Sequence, residues 1–422
     1  MTSTQKTSTS FVSAVIRLLI PALILTTFGA SVLAQTKGYV TNAGSDTLSV
    51  IDTATNTVTG SIPAGSTPVG LAITPNGDFI YVGNDITTSV SVISTATNDI
   101  VANIPLGPFS FPGGIAITPD GAFAYVTIQV NSRVAVIDTA TNTVIASVPV
   151  GMAPFGIAIT PDGRFVYVAN RGLGPSDVSV IDTSTNTVVA TIFVGFGPLS
   201  VAISPNGAFA YVTLSSGEIS VINTATKTVV ATIPTGNFLG EIAITPNGAF
   251  AYVAQNTTSS VAVINLATNT MIATVPVGFA PRGVAITPDG TTAYVVNNGD
   301  NTVSVIDTVT NTVTATIPVG VSPVLIAFSK PQSPQDPIAA LIAQVEALIA
   351  GGTLSQNQGD GLIDKLHQIA LKLDNNQTDV ACNQLSAFIN QVNAFVNSHA
   401  LTQTQGQALI DAANALKTST GC

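Results

Sequence analysis

Hydrophobic and polar positions alternate through the middle of this chain in short runs, each bounded by turn-forming residues. The stretch after Pro281 shows one full cycle. Gly283–Ile286 and Ala293–Val296 are separated by Thr287-Pro288-Asp289-Gly290, with proline at the second place of a turn. Polar Asn297–Asn301 leads to Val303–Ile306, and Asp307–Asn311 leads to Val313–Ile317. Valine, isoleucine, threonine and tyrosine fill these runs, so the pattern predicts four short β-strands. The cycle then repeats. A Tyr-Val pair recurs at Tyr39, Tyr81, Tyr125, Tyr167, Tyr211, Tyr252 and Tyr294, which are all seven tyrosines of the chain. Their spacings are 42, 44, 42, 44, 41 and 42 residues. A Val-Ile-Asp-like anchor (Ile51 to Ile306) and a glycine closing Ile-Pro-x-Gly (Gly65 to Gly320) recur in step. Periods of this size mean a solenoid, propeller or array, and four strands per period select the propeller.

The predicted fold is therefore an all-β seven-bladed β-propeller with four-stranded antiparallel blades, over residues 35–330. A blade is apolar on both faces and buries itself only against neighbours, so seven of them close into a ring. The register also predicts how the ring closes. The first unit starts at its second strand, Tyr39-Val40, and the last ends on a lone first strand, Leu325-Ile326-Ala327-Phe328. These two ends should pair within one blade.

Beyond a proline-rich linker at 331–336 the apolar period becomes helical. Ile338, Leu341, Ile342, Val345, Leu348 and Ile349 share one face, with Pro337 in the first turn and Gly351-Gly352 as a stop. Further helices are expected at roughly 355–373, 379–398 and 403–417. The module 337–422 is duplicated at a spacing of 47: Ile342-Ala343-Gln344-Val345 matches Ile389-Asn390-Gln391-Val392, and Leu354–Gly359 matches Leu401–Gly406. Two αα-hairpins make a four-helix bundle. Antiparallel neighbours would bring Cys382, early in the third helix, and Cys422, past the end of the fourth, to one end of that bundle, where a disulfide is expected.

At the N-terminus, Lys6 and Arg17 precede an apolar run, Leu18–Leu25, and small residues ending at Ala34. This is the order of a secretory signal, so residues 1–34 are expected to be removed and the protein to be secreted, surface-exposed or periplasmic. No later run has eighteen consecutive apolar residues, so no membrane span is expected after cleavage.

Tyr39-Val40-Thr41-Asn42, Val-Ile-Asp-Thr-Ala-Thr-Asn-Thr-Val and Ile-Thr-Pro-Asp/Asn-Gly together resemble the YVTN-repeat β-propellers, a family that includes surface-layer and other exported microbial proteins. The run Ala387-Phe388-Ile389-Asn390-Gln391-Val392-Asn393-Ala394 resembles the FIMAH-type helical module found at the C-terminus of some secreted bacterial proteins. The first resemblance implies the fold. The second implies no catalytic residues.

Composition narrows the chemistry. Only 8% of residues are charged, the formal net charge is −10, and the chain has no Trp, two His and two Cys. The propeller segment holds seven Lys/Arg against fifteen Asp/Glu, which argues against nucleic acid. It contains no His or Cys, so no histidine-copper centre or Ser-His-Asp arrangement can be assembled inside it. No metal and no cofactor are expected. Asp52, Asp138, Asp182 and Asp307, with Asn223 and Asn265 in the same place, read as turn-capping groups rather than cation ligands. His367 and His399 read as exposed or capping residues of the bundle.

The candidate site is the mouth of the ring, where segments leading into each first strand converge. These carry Phe109, Phe111, Met152, Phe155, Phe196, Leu199, Phe238, Phe279 and Val321, with Glu241 and Arg282 in near-equivalent places on consecutive blades. An apolar rim with a few polar groups suits a partner or ligand. The expected function is an exported, monomeric, non-enzymatic scaffold or binding protein with a protein or glycan partner. The alternative is a hydrolase or lactonase-like enzyme acting at the same mouth.

Overall fold

The computed structural model describes residues 36–172, 175–329, 335–374, 377–420 and 422. The signal expected at 1–34 and the linker residues 331–334 lie outside these. The described strands form seven antiparallel sheets of four. Blade one combines Pro323–Phe328 with Lys37–Asn42, Thr47–Asp52 and Thr57–Pro63. Blades two to seven run in chain order as Pro68–Pro105, Pro112–Pro149, Pro154–Phe196, Pro198–Pro234, Leu239–Pro276 and Pro281–Pro318.

The closing strand pairs as the register requires, with Gly38 opposite Phe328 and Val40 opposite Ile326. The Leu325 N–H donates to Thr41 Oγ1 at 3.0 Å, and the Ser329 N–H donates to the Lys37 carbonyl at 2.9 Å. One blade is thus stitched from both ends of the propeller.

The core lies between blades. Tyr81, Val90 and Val92 of blade two pack with Ile115, Val126 and Ile137 of blade three, and equivalent clusters recur around the ring. All seven tyrosines are buried. Their hydroxyls explain why two sequence anchors travel together. Tyr81, Tyr125, Tyr252 and Tyr294 donate to the Oδ1 of Asn142, Asn186, Asn311 and Asn56, at 2.7, 2.8, 2.6 and 2.5 Å, each on the following blade. Burial pushes the Tyr252 hydroxyl up to about 12, so it stays a donor. Where blade five carries Lys227 instead of the asparagine, Tyr167 turns to the Thr224 carbonyl at 3.4 Å. These asparagines have positive φ (52 to 54° at Asn56, Asn142, Asn186 and Asn311), which asparagine tolerates better than bulkier residues.

The recurrent acids are turn groups. Asp138 Oδ1 accepts from the Ala140 and Thr141 N–H groups at 2.9 and 3.1 Å, and Asn223 and Asn265 do the same in their blades. Asp52 and Asp307 make the same bonds, and Asp182 accepts from the Ser184 N–H at 2.9 Å.

Four helices follow: α1 (Gln335–Ala350), α2 (Gln356–Asp374), α3 (Thr378–Asn397) and α4 (Gln403–Thr420). α1 begins two residues ahead of Pro337, which lies inside the first turn, where a missing N–H costs nothing. α4 runs three residues past the expected 417. Leu341, Val345, Leu362, Leu366, Leu385, Phe388, Leu409 and Leu416 form the core. The duplicated segments are matched capping boxes. Gln358 Oε1 accepts from the Ser355 N–H and Gln405 Oε1 from the Thr402 N–H, both at 3.0 Å. Cys382 and Cys422 are joined as a disulfide, with Cα atoms 5.5 Å apart. In the chain-entropy account, closing a loop of 40 residues stabilises the module by roughly 3–4 kcal/mol. His367 and His399 are exposed.

Candidate binding site at the channel mouth

The first strand of every blade faces the ring axis, and its N-terminal end opens on one face of the propeller. Glycines let these strands approach each other. A Cβ on Gly240 would sit 2.6 Å from the Arg282 carbonyl oxygen, and one on Gly156 would sit 2.7 Å from the Ser200 Cα. Backbone therefore lines much of the channel, leaving a cavity of about 280 Å³ to which all seven first strands contribute.

Three charged side chains line that cavity: Arg171, Glu241 and Arg282. Aligning the seven periods shows how each departs from its own repeat. The second residue of the first strand is Val69, Gly113, Phe155, Leu199, Gly240 and Val324 elsewhere, but Arg282 in blade seven. The third is glycine in four blades, Ser200 in one and Leu325 in another, but Glu241 in blade six. Arg171 directly follows the second strand of blade four. Blades six and seven have asparagines at that place, and their side chains bond the neighbouring blade: Asn298 Nδ2 donates to the Pro323 carbonyl at 2.8 Å, Asn256 Nδ2 to that of Pro281 at 3.4 Å.

The protein around Glu241 strips its hydration, although part of its surface stays open to the channel. Desolvation raises its carboxyl to about 7, against the opposing pull of the Arg282 charge. The Arg282 guanidinium is shifted down, first by desolvation, with Glu241 opposing and the nearby Arg171 charge adding to the shift. Two guanidiniums that feel one another, with a single half-ionised carboxylate, leave the cavity positive. This is notable in so acidic a chain: residues 36–329 contain only six Lys and Arg, and two of them meet here.

The aromatic residues divide. Phe155 and Phe238 line the cavity with Leu199. Phe109, Phe196 and Phe279 do not; they stand out on the same face, 70, 61 and 63% exposed, rather than packed between blades. The backbone of the loops leading into three of the first strands is held firmly. Phe111, Ala153 and Ala280 precede prolines yet have φ of +38, +50 and +53°, and their carbonyls accept the Gln129, Arg171 and Asn298 N–H groups at 3.2, 3.0 and 3.1 Å.

Sequence reading found Glu241 and Arg282 but missed Arg171 and the cavity role of Asn256. Arg171 follows Tyr167-Val168-Ala169-Asn170 and looks like a loop residue. Only the period-by-period alignment places it at the mouth. Among the described residues no three His, Cys, Asp or Glu converge as a metal site.

Three family models match parts of the chain. "Lactonase, 7-bladed beta-propeller" matches residues 182–317, "Cytochrome D1 heme domain" residues 119–241, and "FIMAH domain" residues 338–418. Among solved structures, the chain is similar to Kuenenia stuttgartiensis hydrazine synthase, with 26% identity and a TM-score of 0.59, covering 64% of this chain and 92% of that one. It is also similar in fold to a functionally unknown protein from Desulfotomaculum acetoxidans, with 20% identity and a TM-score of 0.62, covering 70% and 99%. A curated relative, the PE-PGRS family protein PE_PGRS18 of Mycobacterium tuberculosis, is 65% identical over 37 residues; this match spans 8% of that protein's length. The heme that the second model implies does not fit this mouth. A heme iron needs His, Cys, Met or Tyr as axial ligand. None of these lines the cavity, and every tyrosine is buried. The chain is a seven-bladed propeller with four-stranded antiparallel blades, followed by four helices that match the FIMAH model.

Proposed function

We propose that this protein is an exported, non-enzymatic binding scaffold of the YVTN-repeat, surface-layer-like kind, whose channel mouth takes an acidic group of a protein or glycan partner. The pairing of Arg171 with Arg282 in one cavity carries this reading. Guanidiniums present forked donors that match a carboxylate, and Asn256 and the glycine backbone supply neutral donors around it. Phe155 and Phe238 offer apolar walls for a sugar ring or side chain. The signal-like N-terminus and the disulfide both favour an oxidising compartment outside the cytoplasm.

The test is calorimetry with a uronic-acid oligosaccharide and its neutral counterpart. The acidic ligand should bind, and Arg171→Ala and Arg282→Ala should each weaken it at least about tenfold, as expected for loss of a charge-assisted hydrogen bond. Equal binding of the neutral ligand, or variants that bind like the parent, would overturn the reading.

A second reading is favoured by the Lactonase match and by Glu241, whose carboxyl near 7 suits a general base that draws a proton from water attacking a lactone carbonyl. Lactone turnover that disappears in Glu241→Gln would select this reading over the scaffold.

A further inference from the structure

The outer edges of the blades differ at one place. In six blades the outer strand closes on a proline after its last buried aliphatic residue: Pro63, Pro105, Pro149, Pro234, Pro276 and Pro318. Proline lacks an N–H, so on an edge strand it sits where that N–H would face solvent, and it blocks pairing with another strand. Blade four has Phe193 instead. Its outer strand, Thr187–Phe196, is ten residues long against six or seven elsewhere. Phe193 is 70% exposed.

We propose that this edge is a homodimer interface, in which Thr187–Phe196 of one copy pairs antiparallel with the same strand of a second copy. The strand is self-complementary. Val189, Thr191 and Phe193 are its exposed alternate residues, so a two-fold axis at Thr191 sets each Phe193 opposite the Val189 of the other copy. Aromatic against β-branched is a favourable cross-strand pair. Charge points the same way. The strand holds no charged residue in a chain of net charge −10, so its match is an equally uncharged strand, and self-pairing opposes no like charges. Phe193 supplies the outward N–H that the prolines of the other blades withhold. The geometry thus replaces the monomer expected from the sequence with a two-fold pair.

The test is sedimentation of the full chain at high micromolar concentration. The parent should sediment as a dimer. Phe193→Pro, which restores the residue six other blades carry, should halve the sedimenting mass with an unchanged melting temperature. Thr191→Lys, which sets two lysines against each other at the axis, provides a second route to the monomer should proline disturb the blade. A monomeric parent, or a dimer that survives both substitutions in folded protein, overturns the proposal.

Discussion

The two faces of the propeller are built from the same repeats and do different things with them. On the face away from the mouth, six blades present a Thr/Ser-Pro-Asp/Asn-Gly turn, which the stitched blade one lacks, and all seven a turn of nearly constant sequence led by Asp, Asn or, in blade two, Ser94. There Thr118 and Thr287 bond Asp120 and Asp289, and the turn N–H groups find side-chain acceptors. On the mouth face, the equivalent positions change from blade to blade: valine, glycine, leucine, phenylalanine or arginine at one, glycine, serine, leucine or glutamate at the next. A repeated residue answers a demand every blade makes, such as ending a turn or receiving a tyrosine. A residue that departs from its own repeat answers a demand made once. The seven periods thus serve as an internal alignment that separates architecture from chemistry.

The comparison depends first on ring closure, since both faces exist only in a closed ring. Deleting Val324–Ser329 from the full chain should produce the largest loss, abolishing the cooperative melting of the propeller followed by near-UV circular dichroism. A deletion variant that melts like the parent would mean that blade one is complete without this strand.

Glu241 should give the next largest effect, and one that depends on pH. Its carboxyl titrates near 7 in the folded protein and near 4.5 when unfolded, so between these values the folded state holds more protons. Stability from this group is full below about 4.5 and falls as pH rises through 7. Glu241→Gln should remove that fall and be on the order of 2 kcal/mol more stable than the parent at pH 8, after allowing for residual channel water. Denaturant titrations at pH 5 and pH 8 measure this; a parent-to-variant difference that is the same at both would place Glu241 in ordinary solvent. The same titration should tighten binding of an anionic ligand as pH falls from 8 to 6, because neutral Glu241 no longer repels the ligand or offsets the Arg282 charge.

Tyr252→Phe probes the opposite face. It removes the bond to Asn311 while keeping the ring buried, and should cost about 1 kcal/mol with no effect on ligand affinity. Arg171→Ala should do the reverse, changing stability by less than about 0.5 kcal/mol while weakening the acidic ligand. If Tyr252→Phe weakened binding as much as Arg171→Ala, the two faces would not be separable.

Most of the fold was legible because its signals are local and repeated seven times. Strand alternation, Thr-Pro-Asp/Asn-Gly turns and the out-of-phase ends of the repeat lead directly to blades and to closure by Leu325–Phe328. The helices were legible to within two or three residues at their ends, where caps and fraying decide. The site was legible only in part. Glu241 and Arg282 stand out as charges in apolar strands. Arg171 follows a strand in a polar loop, where charge is ordinary, and only the ring geometry turns it inward. Phe155 is the second residue of a first strand and lines the cavity, whereas Phe109 and Phe279 lie in the loops ahead of first strands and Phe196 ends an outer strand; a few residues of offset, which composition does not reveal, separate lining from rim.

The stitched blade also sets an order of events. The bond between Ser329 and Lys37 spans 292 residues, so the strand that finishes the first blade is the last of the propeller to leave the ribosome. Blade one therefore stays a three-stranded fragment with an open edge until nearly the whole ring has been made. Loop-closure entropy over such a span makes this a slow, late step. The reverse also follows. Once closed, the ring offers no free terminal strand from which unzipping can begin, so the rate of opening, more than the equilibrium between folded and unfolded chains, should govern how long the protein survives.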